Sequence, residues 1–143
     1  MSIKAKEQEL LEEFAIFDNW MDKYEYIIDL GKELQAIPES QKTEENLVRG
    51  CQSKVWLNAG TANGKLNFEA DSDAVITKGI IALLIRVMNG EEPAEVAKSD
   101  FEFIDAIGLK EHLSPNRANG LVSMVKKMKA YAIGLSLNQA LWK

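Results

Sequence analysis

At 143 residues the chain has the size of one ordinary domain, and a composition of 46% hydrophobic and 27% charged residues excludes disordered, collagen-like and membrane-embedded classes. The net charge of −5 argues against a nucleic-acid partner, which requires a basic face to displace counterions. The best basic cluster, Lys126, Lys127 and Lys129, falls within a helical pattern and reads as a solvated helix edge. Near the N-terminus Glu7, Glu9, Glu12 and Glu13 interrupt any apolar core of a secretion signal. The longest apolar stretch, Gly79 to Ile85, is far shorter than the roughly twenty residues of a bilayer span. A cytoplasmic protein without a membrane segment, folded as one domain over residues 1–143, is therefore expected.

Leu10, Leu11, Phe14 and Phe17 recur at helical spacing and predict a first helix, which Asp18-Asn19 ends while capping a second. The second helix carries Trp20, Tyr24, Ile27, Ile28 and Leu34, and Pro38 closes it. Gly31 inside it costs about 1 kcal/mol relative to alanine, so it marks a point of close packing. Val55, Leu57 and Ala59 then alternate with polar neighbours, as do Leu66, Phe68 and Ala70 after Thr61-Ala62-Asn63-Gly64, which predicts a β-hairpin with one buried face. A short strand over Asn46 to Arg49 would make the sheet three-stranded. Asp71-Ser72-Asp73 offers caps for a helix from about Ala74 to Met88, apolar almost all round and hence buried on the sheet. Pro93 and the cluster Phe101, Phe103, Ile104 and Ile107 indicate short helices, and the Ser114-Pro115 cap introduces a final amphipathic helix through Tyr131. Helices, antiparallel sheet, helices in that order define an α+β class, a small antiparallel three-stranded sheet packed against helices.

The chain contains one cysteine, Cys51. A single thiol forms no intramolecular disulfide and supplies no tetrahedral thiolate cage for a metal, so no metal site is expected. Lone cysteines in general are small buried hydrophobes. Here Gly50 precedes the thiol and the polar Gln52, Ser53 and Lys54 follow it, which suits a loop tip better than a core strand. Arg49 and Lys54 would favour the thiolate, the attacking form.

The run Gly50-Cys51-Gln52-Ser53-Lys54-Val55-Trp56-Leu57 resembles the signature of the SufE family of sulfur acceptors. Three further blocks match in the same order: Trp20 to Gly31; Asp71-Ser72-Asp73-Ala74 with Lys78-Gly79-Ile80-Ile81-Ala82; and Leu109 with His112-Leu113-Ser114-Pro115-Asn116-Arg117 and Gly120-Leu121. The resemblance spans about Leu10 to Ala132 and implies a SufE/NifU-like fold. It also implies a relay in which a SufS-like, pyridoxal-phosphate-dependent cysteine desulfurase passes its persulfide sulfur to Cys51. The protein itself would need no cofactor, would act as an accessory rather than an autonomous enzyme, and would relay sulfur toward an iron-sulfur scaffold. A non-catalytic docking module that stimulates the desulfurase stands as the alternative.

Other matched positions carry two readings each. Gln52 would support the loop or touch the partner. Asp71 and Asp73 would cap the buried helix or contact the desulfurase. Arg117 opposes the dipole of the helix whose first turn it occupies and needs a partner, either a carboxylate such as Asp73 or the docked protein. His112, the only histidine, would be a general base for Cys51 or a hydrogen-bonding loop residue. Trp56 would shield the cysteine loop or, as its strand neighbours favour, face the helices. The tail from Ile133, with Leu137, Leu141 and Trp142, extends past the resemblance and would pack on the domain or on another copy.

Overall fold

The computed structural model describes residues 2–51 and 53–141. Helix α1 (Ile3–Phe14) is capped by the Ser2 hydroxyl, which accepts from the Ala5 N–H. Helix α2 (Trp20–Lys32) is capped by Asn19, whose side-chain oxygen accepts from the Asp22 N–H at 2.9 Å, as its position predicts. Phe17 lies in the connection instead of in α1 and packs its ring 5.1 Å from that of Tyr26.

Two single 3₁₀ turns, Glu39–Gln41 and Glu44–Asn46, lead to the hairpin of β1 (Val55–Ala62) and β2 (Lys65–Ser72). Pairing Ala62 with Lys65 leaves Asn63-Gly64 as a two-residue turn with both φ angles positive, 55° and 78°. That mirror-image turn matches the twist of the strands, which explains the Asn-Gly pair. The expected third strand is not formed: the described residues make a two-stranded sheet. Residues 46–49 contribute one bridge, Leu47 opposite Trp56, and a Val48 N–H to Val55 carbonyl bond of 2.8 Å. The 3₁₀ turn ends at Asn46 and Gly50, at φ 90°, turns the chain away, so no length remains for a ladder.

Val55, Leu57, Leu66, Phe68 and Ala70 form the inner face of the hairpin and meet helix α3 (Val75–Met88) and the long final helix in one core. Helix α3 is less enclosed than its composition implies, since Val75 stands 60% exposed at its N-terminal end. Helices α2 and α3 touch at two glycines. A Cβ on Gly79 would sit 2.2 Å from the Ile27 carbonyl oxygen, and one on Gly31 would sit 2.7 Å from the Gly79 nitrogen. The packing role expected of Gly31 is thus shared with Gly79. Arg86 of α3 is bonded to Glu9 and Glu13 of α1, tying the first helix to the same core.

Three short helices, α4 (Pro93–Lys98), α5 (Glu102–Ile107) and α6 (Leu109–His112), precede α7 (Pro115–Leu141). Ser114 accepts from the Arg117 N–H at 3.3 Å and Pro115 takes the first helical position, where its missing N–H costs nothing. Helix α7 continues through most of the tail. Tyr131 donates to the Leu57 carbonyl at 3.4 Å and Gln139 to the Gly64 carbonyl at 2.8 Å, so this part lies along the hairpin, with Ile133 and Leu137 exposed. The Leu141 side chain and Trp142 lie outside the described residues. Among the described residues no helix is long and apolar enough to cross a membrane.

Candidate functional site

Cys51 follows Gly50, which is needed twice over. Its φ of 90° is a conformation that residues with a Cβ rarely adopt, and a Cβ there would lie 2.5 Å from the Ser123 hydroxyl of α7. The thiol turns toward the same helix, with Sγ 3.6 Å from the Gly120 carbonyl oxygen, to which it donates. A Cβ on Gly120 would come within 3.3 Å of the sulfur, so the absence of a side chain there makes the notch that receives it. Cys51 is therefore half-buried rather than displayed at a loop tip.

A cavity of about 80 Å³ opens beside the sulfur, large enough for water or one additional sulfur atom. Ile80 and Met124 supply apolar wall, Ser53, Thr77 and Asn116 supply polar wall, and Arg117 supplies a charge. Burial pushes the Cys51 thiol above its usual range, because a thiolate loses hydration there. The lowering expected from Arg49 and Lys54 is absent, and loss of water decides the direction. The rate of Cys51 alkylation by iodoacetamide should accordingly have its midpoint above the pH of about 8.5 typical of a free thiol, and urea should move the midpoint down to that value. A midpoint below 8 in the folded protein would contradict the burial of the sulfur.

The residues expected to cap α3 brace the loop instead. Strand β2 runs through Ser72, which leaves Ala74 at the cap position with no side-chain cap bond. Asp73 accepts from the Lys54 N–H at 3.0 Å and its own N–H donates to the Lys54 carbonyl at 3.2 Å. The Ser72 hydroxyl donates to the same carbonyl at 2.8 Å and accepts from the Ala74 N–H at 3.2 Å. Lys54 is thus clasped from both sides, three residues after the thiol.

Asp71 is buried, and its carboxylate accepts from the Ser72 N–H at 2.8 Å with Lys78 Nζ at 3.2 Å and Lys42 Nζ at 3.6 Å. Two ammonium groups offset the cost of removing that charge from water. Lys42 also sits 5.3 Å from the centre of the Trp56 ring. Trp56, expected to face the helices, alternates onto the opposite face from buried Val55 and Leu57 and lies under this lysine.

Of the remaining sequence-predicted positions, Arg117 lines the cavity, and among the described residues it has no ion-pair partner; Asp73 is engaged with Lys54. His112 stacks on Trp20, ring centres 3.9 Å apart, with Nδ1 3.0 Å from the Gly108 carbonyl oxygen, and is not among the residues lining the cavity. Gln52 lies outside the described residues. Among the described residues no cluster of three or more histidine, cysteine, aspartate or glutamate side chains could hold a metal ion. Gly120 and Thr77 shape the site without having been singled out for it. Gly120 gave a signal, since a glycine inside a helix costs about as much as Gly31 does and invites the same inference of close packing.

Comparison with known proteins gives the family and the fold. Residues 8–132 match the family described as SufE, Fe-S metabolism associated domain. The chain is 40% identical over 131 residues to an uncharacterized SufE-like protein of Rhizobium meliloti, covering 88% of this chain and 94% of that one. It is 41% identical over 133 residues to one of Rhizobium etli, covering 90% of each, and 37% identical over 131 residues to one of Synechocystis, covering 92% of this chain and 82% of that one. The solution structure of a hypothetical protein from Thermus thermophilus superposes with a TM-score of 0.77 at 22% identity, covering 93% of this chain and 96% of that one, and thereby shares the fold. With the family profile spanning most of its length and relatives at this identity, the chain belongs to the SufE family, whose domain is associated with Fe-S metabolism.

Proposed function

We propose that this protein accepts sulfane sulfur on Cys51 from the persulfide of a pyridoxal-phosphate-dependent cysteine desulfurase, stimulates that enzyme by clearing its product, and relays the sulfur to iron-sulfur assembly. The observation that carries the reading is the position of the chain's one thiol, at the rim of a small cavity beside Arg117, which has no ion-pair partner among the described residues.

Cys51 first gives up its proton, which in the net reaction ends on the departing donor thiolate, and its thiolate attacks the outer sulfur of the donor persulfide in line with the S–S bond. The new bond joins Cys51 Sγ to that sulfur, the donor's S–S bond breaks, and the desulfurase cysteine leaves as a thiolate; no net oxidant is consumed. In the free protein the thiol is protonated and held against Gly120, which keeps it from unproductive oxidation. Docking has to draw it outward, where Lys54 and Arg117 favour the ionised form. Pyridoxal phosphate belongs to the partner, and the role of this chain is to present and receive.

Incubation with the desulfurase and L-cysteine should yield protein one sulfur atom heavier, with the addition mapping to the Cys51 peptide and removed by dithiothreitol. An unmodified Cys51 in the presence of an active desulfurase would overturn the assignment.

A further inference from the structure

Apart from Lys23, Lys98 and Lys129, which have no carboxylate partner among the described residues, the cations of the described residues divide into two groups. Lys4, Lys6, Lys32, Lys42, Lys65, Lys78, Arg86 and Lys110 all lie within 4 Å of carboxylates. Around the Cys51 loop the pattern is reversed: among the described residues the side-chain cations of Arg49, Lys54, Arg117, Lys126 and Lys127 have no carboxylate within 4 Å, although Lys126 also borders a hollow lined by Asp100 and Asp105. An acidic protein with a net charge of −5 has acids to spare, so five unmatched side-chain cations around one loop are a local departure from its overall balance.

Three of these cations share one feature. An open groove of about 380 Å³ runs beside the loop on the α7 side, lined by Arg49, Lys126 and Lys127 together with Leu47, Val48 and Ser123, and no acidic side chain lines it. Ser123 is the residue against which Gly50 packs, so the groove and the thiol share a wall. Lys127 is anchored, donating to the Leu47 carbonyl at 2.9 Å and the Glu45 carbonyl at 3.3 Å, whereas Arg49 and Lys126 are exposed. Partial burial and the nearby Arg49 push Lys127 below the usual lysine range, so these positive charges oppose each other and an incoming anion would relieve them.

We propose that the groove formed by Arg49, Lys126 and Lys127 is a docking surface for an acidic segment of the sulfur-donating protein, seating it on the α7 side of the loop as Cys51 meets the donor sulfur. This rests on the relay reading above and specifies where the partner is held. An acidic segment is the fitting occupant because carboxylates neutralise the opposed cations, while a uniformly anionic polymer would be repelled by the rest of this acidic surface. Complementary charge beside the transfer site also raises the encounter rate and sets orientation before transfer.

The test is the charge-reversed double variant Arg49→Glu, Lys126→Glu, both exposed positions without structural hydrogen bonds among the described residues. A control, Lys32→Glu, Lys98→Glu, makes the same change in net charge elsewhere. Binding of each full-length protein to the purified desulfurase is measured by titration calorimetry at low and high salt, alongside sulfur loading of Cys51 by mass spectrometry at saturating desulfurase. The groove variant should bind about 10- to 100-fold more weakly at low salt, with a flatter salt dependence, while the control binds as wild type and Cys51 of the groove variant still loads at saturation. Wild-type affinity in the groove variant, or equal losses in the groove variant and the control, would overturn the docking surface and leave the relay standing. A groove-specific loss of affinity with no sulfur on wild-type Cys51 would remove the relay and keep the surface. A wild-type protein with no measurable affinity for the desulfurase would overturn the proposal itself.

Discussion

Cys51→Ser protein is expected to gain no sulfur from an active cysteine desulfurase and to leave that enzyme at its basal rate, although it still binds. Serine is close to cysteine in shape and retains a donor for the Gly120 carbonyl, so the notch on α7 stays filled and the fold is undisturbed. What disappears is the nucleophile, since a hydroxyl does not ionise near neutrality and forms no persulfide. Stimulation by product removal is therefore lost entirely. The paired measurement is desulfurase turnover with and without the variant, beside its binding affinity. Full stimulation by the serine protein would replace the relay with the docking module, a reading to which the half-buried state of the thiol lends its one supporting observation.

Gly79→Ala should produce the largest loss of stability among alanine substitutions of the glycines in this chain. The added Cβ would meet the backbone oxygen of Ile27 at 2.2 Å and its Cγ2 at 2.5 Å, and a carbonyl on a neighbouring helix cannot rotate away. Helices α2 and α3 must separate, loosening the contact in which Ile27 packs on Gly79. A net cost of about 3 kcal/mol is expected even after the helix-forming advantage of alanine, near the upper end for overpacking. Thermal denaturation should show this as a fall in Tm of roughly 10 °C. Gly134→Ala in α7 is the matched comparison: nothing lies within 4 Å of its Cβ, so the intrinsic preference for alanine should raise stability by up to about 1 kcal/mol. Equal effects at the two positions would refute the close-approach account.

The elements that the sequence announces are those governed by local rules. The hairpin was legible because period-two alternation flanks an Asn-Gly pair, and α7 because a Ser-Pro cap precedes an amphipathic run. The third strand expected over residues 46–49 does not form, because a 3₁₀ turn and a left-handed glycine truncate it on either side, which a run of four residues cannot reveal. The site behaves in the same way. The position of the thiol follows from its neighbours, but its burial depends on Gly120, 69 residues further along, and on the packing of α7 against the loop. Asp71 looked like a cap because its neighbours in sequence suit one; its actual partners, Lys42 and Lys78, are selected by the tertiary fold. Long-range pairing of this kind has no signature in one sequence.

The double clasp on Lys54 has a geometric corollary. With Val48 bonded to Val55 on one side and Lys54 held by Ser72 and Asp73 on the other, the tether that carries the sulfur is three peptide units long in each direction. A stretched tether of that length spans about 10 Å. In the proposed transfer the thiol therefore has a short leash rather than a swinging arm, and the donor would have to bring its cysteine to within that radius of the rim.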